Sequence, residues 1–170
     1  MREYAVTSVG AVNTAGTTVT GGVSGNTLVF INPAAAPNVN IEFLRYWAGQ
    51  ASSTTSAQQR AGLVSQVTAF PTLTGATPAS LKRQQGASVI ASGTAGAAGT
   101  AGINASAEGA GAKTTIWEDD FNVLNGYLRV ATPAETEIFP AGSASGAGFW
   151  FPIAPTTTNG WSFGVNFREV

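Results

Sequence analysis

The chain has 170 residues, of which 44% are hydrophobic and only 10% are charged, and its formal net charge is −1. Ordinary soluble domains carry about 25% charged residues, so this surface has few groups that keep copies apart. Scattered lysines and arginines argue against nucleic-acid binding, and the absence of His and Cys excludes His-based triads, structural zinc sites and disulfides.

The length predicts one domain over residues 1–170. The first residues, MREYAVTSVGAVNTAG, lack the apolar run of a signal peptide. No stretch approaches the ~20 apolar residues that a membrane span needs. We therefore expect no membrane partner and no export signal.

Strand signals recur along the whole chain. The clearest is at the C-terminus, where Trp161, Phe163, Val165 and Phe167 alternate with small or polar residues and so share one face. Gly, Pro and Asn residues separate the segments, which predicts an all-β fold, a jelly-roll-like β-sandwich. The predicted strands are 3–9, 17–20, 27–31, 38–47, 60–70, 113–117, 125–131, 135–139, 148–153 and 160–169.

A helix is disfavoured everywhere. The best candidate is SSTTSAQQRAGL (52–63), whose first half is rich in Ser and Thr and which Gly62 interrupts.

Residues 1–9 are predicted to form an N-terminal arm. An extended segment of this kind can add a strand to the sheet of a neighbouring subunit. Its apolar residues Tyr4 and Val6 are therefore candidate interface residues.

The central segment 86–112 consists almost entirely of Gly, Ala, Ser and Thr, which predicts a loop between two strand-rich halves. A glycine recurs there at every third position, which leaves a polyproline-II-like strand as the alternative to a surface loop. Either arrangement could lie close against a partner backbone. The candidate interface residues are Gly93, Gly96, Gly99 and Gly102.

The run Phe149-Trp150-Phe151 is the densest aromatic cluster of the sequence. Consecutive strand residues point to opposite faces, so Trp150 lies on the other side of the strand from the two phenylalanines. Tryptophan is enriched at interface hot spots, which makes Trp150 a further candidate interface residue. An exposed Trp150 could instead stack on a sugar.

No catalytic, cofactor or metal site is predicted. A phosphate-binding loop ending at Lys113 would need glycines where Ala107 and Ala112 stand. The carboxylate run 118–120 lacks the alternating ligands of a calcium loop and is interpreted as a solvated turn. No pair of carboxylates is placed to face a sugar across a cleft.

Three blocks carry a family resemblance: residues 39–63, the Gly/Ala-rich and aromatic stretch 93–155, and the terminal WSFGVNFREV. Together they resemble small structural proteins of tailed bacteriophages and prophages, in particular capsid cement or decoration proteins. The resemblance covers residues 38–170 and includes no site motif. It implies a jelly-roll or β-sandwich fold, a homotrimer and a position over the joints between major capsid subunits.

The sequence thus predicts a non-enzymatic virion protein that is made in the host cytoplasm and binds itself and the major capsid protein on the phage head. Three alternatives remain open. One is another virion component, such as a tail, neck or head-fibre protein, and the second is a carbohydrate-binding module for adsorption to the host. The third is an enzyme, which without His or Cys would have to rely on carboxylates such as Glu118 and Asp120.

Overall fold

The computed structural model describes residues 1–8, 18–19, 25–35, 39–51, 54–83, 85–141 and 145–170. These residues form thirteen strands and contain no helix, which confirms the all-β prediction. Of the predicted strand 17–20, residues 17 and 20 lie outside the described residues, and Thr18 and Val19, which are described, are not in a strand.

In chain order the strands are β1 (Arg2–Thr7), β2 (Asn26–Asn32), β3 (Ile41–Gln50), β4 (Gln58–Val67), β5 (Thr72–Gly75), β6 (Ala79–Ser80), β7 (Ala91–Ser92), β8 (Thr100–Ala107), β9 (Lys113–Asn122), β10 (Tyr127–Val130), β11 (Ile138–Phe139), β12 (Ser145–Phe151) and β13 (Trp161–Glu169).

The strands form two sheets that pack against each other as a β-sandwich. Sheet A has the order β10-β3-β13-β1-β6, and β11 pairs with β3 beside β10. Sheet B has the order β5-β8-β2-β12-β4-β9, and β7 pairs with β8. The pairing is antiparallel except between β7 and β8. The jelly-roll part of the expectation stays a prediction.

The core between the sheets follows from strand alternation. The four large apolar residues of β13 are fully buried, as the period of two predicts. Sheet B supplies Phe149 and Phe151 to the same core, and the ring centroids of Phe151 and Trp161 lie 4.8 Å apart in an edge-on contact. Aromatic pairs of this geometry add to the stability that burial alone provides.

One side of the sandwich is closed by a network between β9 and β10. The Tyr127 hydroxyl donates a hydrogen bond of 2.8 Å to Asp119, and Arg129 donates one of 3.1 Å to the same oxygen. The Arg129 guanidinium also lies 4.5 Å from the centre of the Trp117 ring. The network joins the edge strands of the two sheets.

The N-terminal arm is a correction. Residues Arg2–Thr7 form β1, which pairs with β13 along its whole length and with β6 on its other side. Tyr4 and Val6 are buried in the chain's own core because they lie on the inward face of β1. As placed here, neither side chain is available to a neighbour.

The central Gly/Ala-rich loop is a second correction. Within 86–112, residues Thr100–Ala107 form β8, a strand inside sheet B, and Ala91–Ser92 form β7. β8 could not be predicted from the sequence, because its small side chains lack the alternation of large apolar residues that marks a strand.

The acidic run 118–120 also differs from expectation, whereas the described part of the segment 52–63 agrees with it, because no helix forms there. The acids lie in β9, whose extent is twice that of the predicted strand 113–117. They are not a turn, because each is paired in register with a residue of β4. From residue 58 onward, the helical candidate is the first half of β4.

Candidate interaction surface

The side chains on the outer face of sheet A follow from the strand register. Leu128 on β10 is paired with Trp47 on β3, and Trp47 is paired with Gly164 on β13. In the next row, Val130 is paired with Arg45. Since paired residues share a face, these side chains form one continuous outer surface.

Three large apolar side chains stand exposed along one margin of this face. Leu128 is 58% exposed, Val130 61% and Ile138 55%. Leu128 and Val130 lie on β10 and Ile138 lies on β11, both of which pair with the same edge of β3. We call these three residues together with Trp47 the sheet A patch. Clusters of this kind mark interaction sites more often than single exposed residues do.

Trp47 lies flat on the sheet because its neighbour has no side chain. A Cβ on Gly164 would overlap the Trp47 indole and would come within 2.8 Å of the Val6 carbonyl oxygen. The Arg45 guanidinium lies 5.7 Å from the centre of the indole ring. With Leu128 and Asn166 these two side chains line a shallow depression of about 230 Å³.

A buried ion pair holds the same face together beside the patch. Arg168 on β13 donates two hydrogen bonds to the Glu42 carboxylate on β3, one of them 2.7 Å long from Nη2 to Oε1. Glu42 is buried, and the hydrogen bonds from Arg168 lower the pKa of its carboxyl below its ordinary value even though burial opposes the shift.

Sequence reasoning missed Trp47 because of a β-bulge. Alternation carried along NVNIEFLRYW from Ile41 and Phe43 puts Trp47 inside the protein. The pairing register between β3 and β13 shifts beside Phe167, so that Leu44 is the extra residue. After the bulge, Tyr46 faces the core and Trp47 faces out.

Trp150, the predicted interface tryptophan, is covered by its own chain. It does lie on the opposite face from Phe149 and Phe151, on the outer side of sheet B. The Lys113 ammonium lies 4.8 Å from the centre of its ring, and only 9% of the residue is exposed. This correction removes Trp150 as a stacking platform or hot spot.

A largely buried hydrogen-bond network around Glu108 holds Lys113 over the Trp150 ring. The Lys113 ammonium donates a 2.6 Å hydrogen bond to Glu108, which also accepts bonds of 2.6 Å and 2.7 Å from the backbone and hydroxyl of Thr27. On the same outer side of sheet B, Phe30, Leu73 and Ala105 form a second small core. Sheet B is therefore covered over much of both faces, unlike the patch on sheet A.

The four repeated glycines lie close to residues of their own chain. A Cβ on Gly102 would lie 2.6 Å from the Gly93 carbonyl oxygen, and one on Gly93 would overlap Thr100. Gly96 and Gly99 have φ values of +62° and +75°, in the left-handed region that favours glycine. The repeat thus lets β7 and its turn approach β8 closely.

Two kinds of feature are absent from the described residues. In the described part of the chain, no group of three or more Asp or Glu residues could hold a metal ion. None of the described segments is a helix able to cross a membrane. The sheet A patch presents apolar area and one indole, and the Arg45 guanidinium lies beside it; such a surface suits binding to another surface.

Comparison of the chain with protein-family models, with curated proteins and with solved structures found no match.

Proposed function

We propose that this chain is a non-enzymatic structural protein of a bacteriophage, a capsid cement or decoration protein that bridges major capsid subunits on the surface of the head. The observation that carries the proposal is the sheet A patch, in which three apolar side chains are more than half exposed. A protein with so few charges has little electrostatic repulsion to keep it apart from a partner, so association is favoured.

Apolar and weakly charged surfaces suit a cement. Each copy contributes a modest contact, and repetition over many equivalent positions on a shell makes the summed stabilisation large. The proposed partners are the major capsid protein and other copies of this chain, expected as a homotrimer from the family resemblance.

Two isoleucines provide a matched test. Ile138, in the sheet A patch, is 55% exposed, and Ile153, in the loop after β12, is 59% exposed. We expect Ile138→Glu to weaken binding to heads assembled without the protein at least tenfold, because a carboxylate would be desolvated at the contact. Ile153→Glu should bind as the wild type does. Co-sedimentation with the heads measures both.

Equal binding by both variants would exclude the patch, and no binding by the wild-type chain would exclude the cement function. Cryo-electron microscopy of the particle separates the cement from a tail, neck or head-fibre protein. A cement occupies many positions over the head, whereas the others occupy a few axial ones.

The depression beside Trp47 favours carbohydrate binding as the second candidate. A half-buried indole flanked by Arg45 and Asn166 offers a stacking surface with hydrogen-bond donors at its rim. A glycan array is expected to show binding that Trp47→Ala abolishes and Trp150→Phe preserves. Absence of any glycan binding by the wild-type chain would remove this candidate.

A further inference from the structure

The outer edge of β10 has backbone groups that no described strand pairs with. β10 pairs with β3, and no strand in the described ranges pairs with its other side. The Ala131 N–H donates a 2.9 Å hydrogen bond to the Leu44 carbonyl oxygen. Since backbone groups alternate in direction along an antiparallel strand, those of Leu128 and Val130 point away from β3.

The neighbouring edge strand, β9 of sheet B, carries charges that oppose pairing with another chain. β9, the edge strand of sheet B, carries the outward acids Glu118 and Asp120, both paired with Arg60. Charges on an edge strand discourage pairing with another chain. β10 has no outward charge, because Leu128 and Val130 are its outward residues and its one cation, Arg129, points inward to Asp119.

We propose that β10 is a self-association edge. It pairs with β10 of a second copy, antiparallel, about a twofold axis at Leu128. This pairing extends sheet A continuously across the two copies and satisfies the free N–H and C=O groups of Leu128 in both. It also brings the exposed apolar side chains of β10 together on the outer face.

Charge selects this register. With the axis at Leu128, the two Leu128 side chains are opposite each other and Arg129 is opposite Tyr127 of the second copy. Moving the axis by one residue, to Arg129, would place the two guanidinium groups opposite each other, and like charges opposite each other on neighbouring strands are destabilising. The Leu128 register leaves each Arg129 bonded to its own Asp119 at 3.1 Å.

This contact goes beyond the proposed function and does not depend on a capsid. The contact is isologous, which means that both partners use the same surface, so it joins two copies. If the chain also forms trimers through a separate threefold contact, this contact joins two trimers. In either case, breaking the contact halves the mass of the particle in solution.

A charge-swap experiment tests the contact. Leu128→Lys and Leu128→Glu each place two like charges opposite each other at the axis, and Leu128 is exposed enough for both variants to fold. Sedimentation equilibrium from micromolar to millimolar concentration should show wild-type particles of twice the variants' mass. An equimolar mixture of the two variants should recover the wild-type mass, because opposite charges then meet.

Ile138→Lys is the control, since it adds the same charge to the same face outside β10, and it should keep the wild-type mass. Circular dichroism checks that each variant is folded. The proposal is overturned if the wild-type chain and Leu128→Lys have the same mass, or if mixing the two Leu128 variants restores nothing. Loss of capsid binding would leave these outcomes unchanged, so the two proposals fail separately.

Discussion

Gly164 shows how one missing side chain shapes the surface. The Trp47 indole occupies the space above it, and any Cβ there would overlap the ring. Gly49 lies on the same face, but a Cβ at that position would meet only the Ser162 hydroxyl, at 3.9 Å. Neither glycine has a positive φ, so space alone distinguishes them.

We therefore expect Gly164→Ala to lower the free energy of unfolding by about 1–3 kcal/mol, the usual cost of overpacking. Gly49→Ala should change it by less than ~0.5 kcal/mol. Urea unfolding followed by tryptophan fluorescence measures both. Equal stabilities for the two variants would mean that the indole moves aside freely and that its position is not fixed by Gly164.

At the scale of the element, the strands with large alternating side chains could be predicted from sequence and the others could not. β13 and β2 can be predicted because their large apolar residues fill the core. β8 cannot, because its one glycine, Gly102, allows close approach to Gly93 and Leu73 and its alanines bury little area of their own. Propensity and periodicity report side-chain burial, so a strand held by backbone proximity escapes them.

The candidate surface was less predictable still. Sequence reasoning located aromatic residues but assigned the exposed role to Trp150, which its own chain covers through Lys113. The outward position of Trp47 depends on the bulge at Leu44, which changes the face of every later residue in β3. A single chain's sequence gives no local signal for such a bulge.

The ion pair between β3 and β13 predicts a pH dependence of stability. Hydrogen bonds from Arg168 lower the pKa of Glu42 in the folded protein, so the folded state favours the carboxylate more than the unfolded state does. That stabilisation is fully present above the unfolded pKa of about 4.3 and is lost as the pH falls through the lower folded pKa. Glu42→Gln should therefore be less stable than wild type at neutral pH, with the difference shrinking in acid.

Asp120→Asn is the matched control for this effect. Its carboxyl pKa is also lowered, by a hydrogen bond from Arg60, but the pair lies exposed on β4 and β9. Exposed ion pairs contribute little to stability. Urea unfolding between neutral pH and pH 3 should show a changed pH profile for Glu42→Gln and a nearly wild-type profile for Asp120→Asn; the reverse order would contradict the assignment.

For the whole molecule, the most consequential feature is that the two ends of the chain pair inside one sheet. Arg2 on β1 is opposite Glu169 on β13, which puts their Cα atoms about 4.5–5.5 Å apart. β1 lies between β13 and β6 and contributes Tyr4 and Val6 to the core. The sandwich thus needs the buried side chains of β1 to complete its core. Because the two ends are adjacent, the order in which the strands follow one another along the chain is less important.

Two altered chains test separately whether the fold needs β1 and whether it needs the native order of strands along the chain. Deletion of residues 1–7 removes β1 and should abolish the cooperative thermal transition, because it empties part of the core and exposes the inner edge of β13. A circular permutant that joins Met1 to Val170 through a short Gly/Ser linker and opens between Pro133 and Ala134, in an exposed turn, keeps every strand and should retain the transition. Calorimetry and circular dichroism compare the two. A deletion variant that unfolds as the full chain does would show that β1 is dispensable, and the N-terminal segment would then again be a candidate arm.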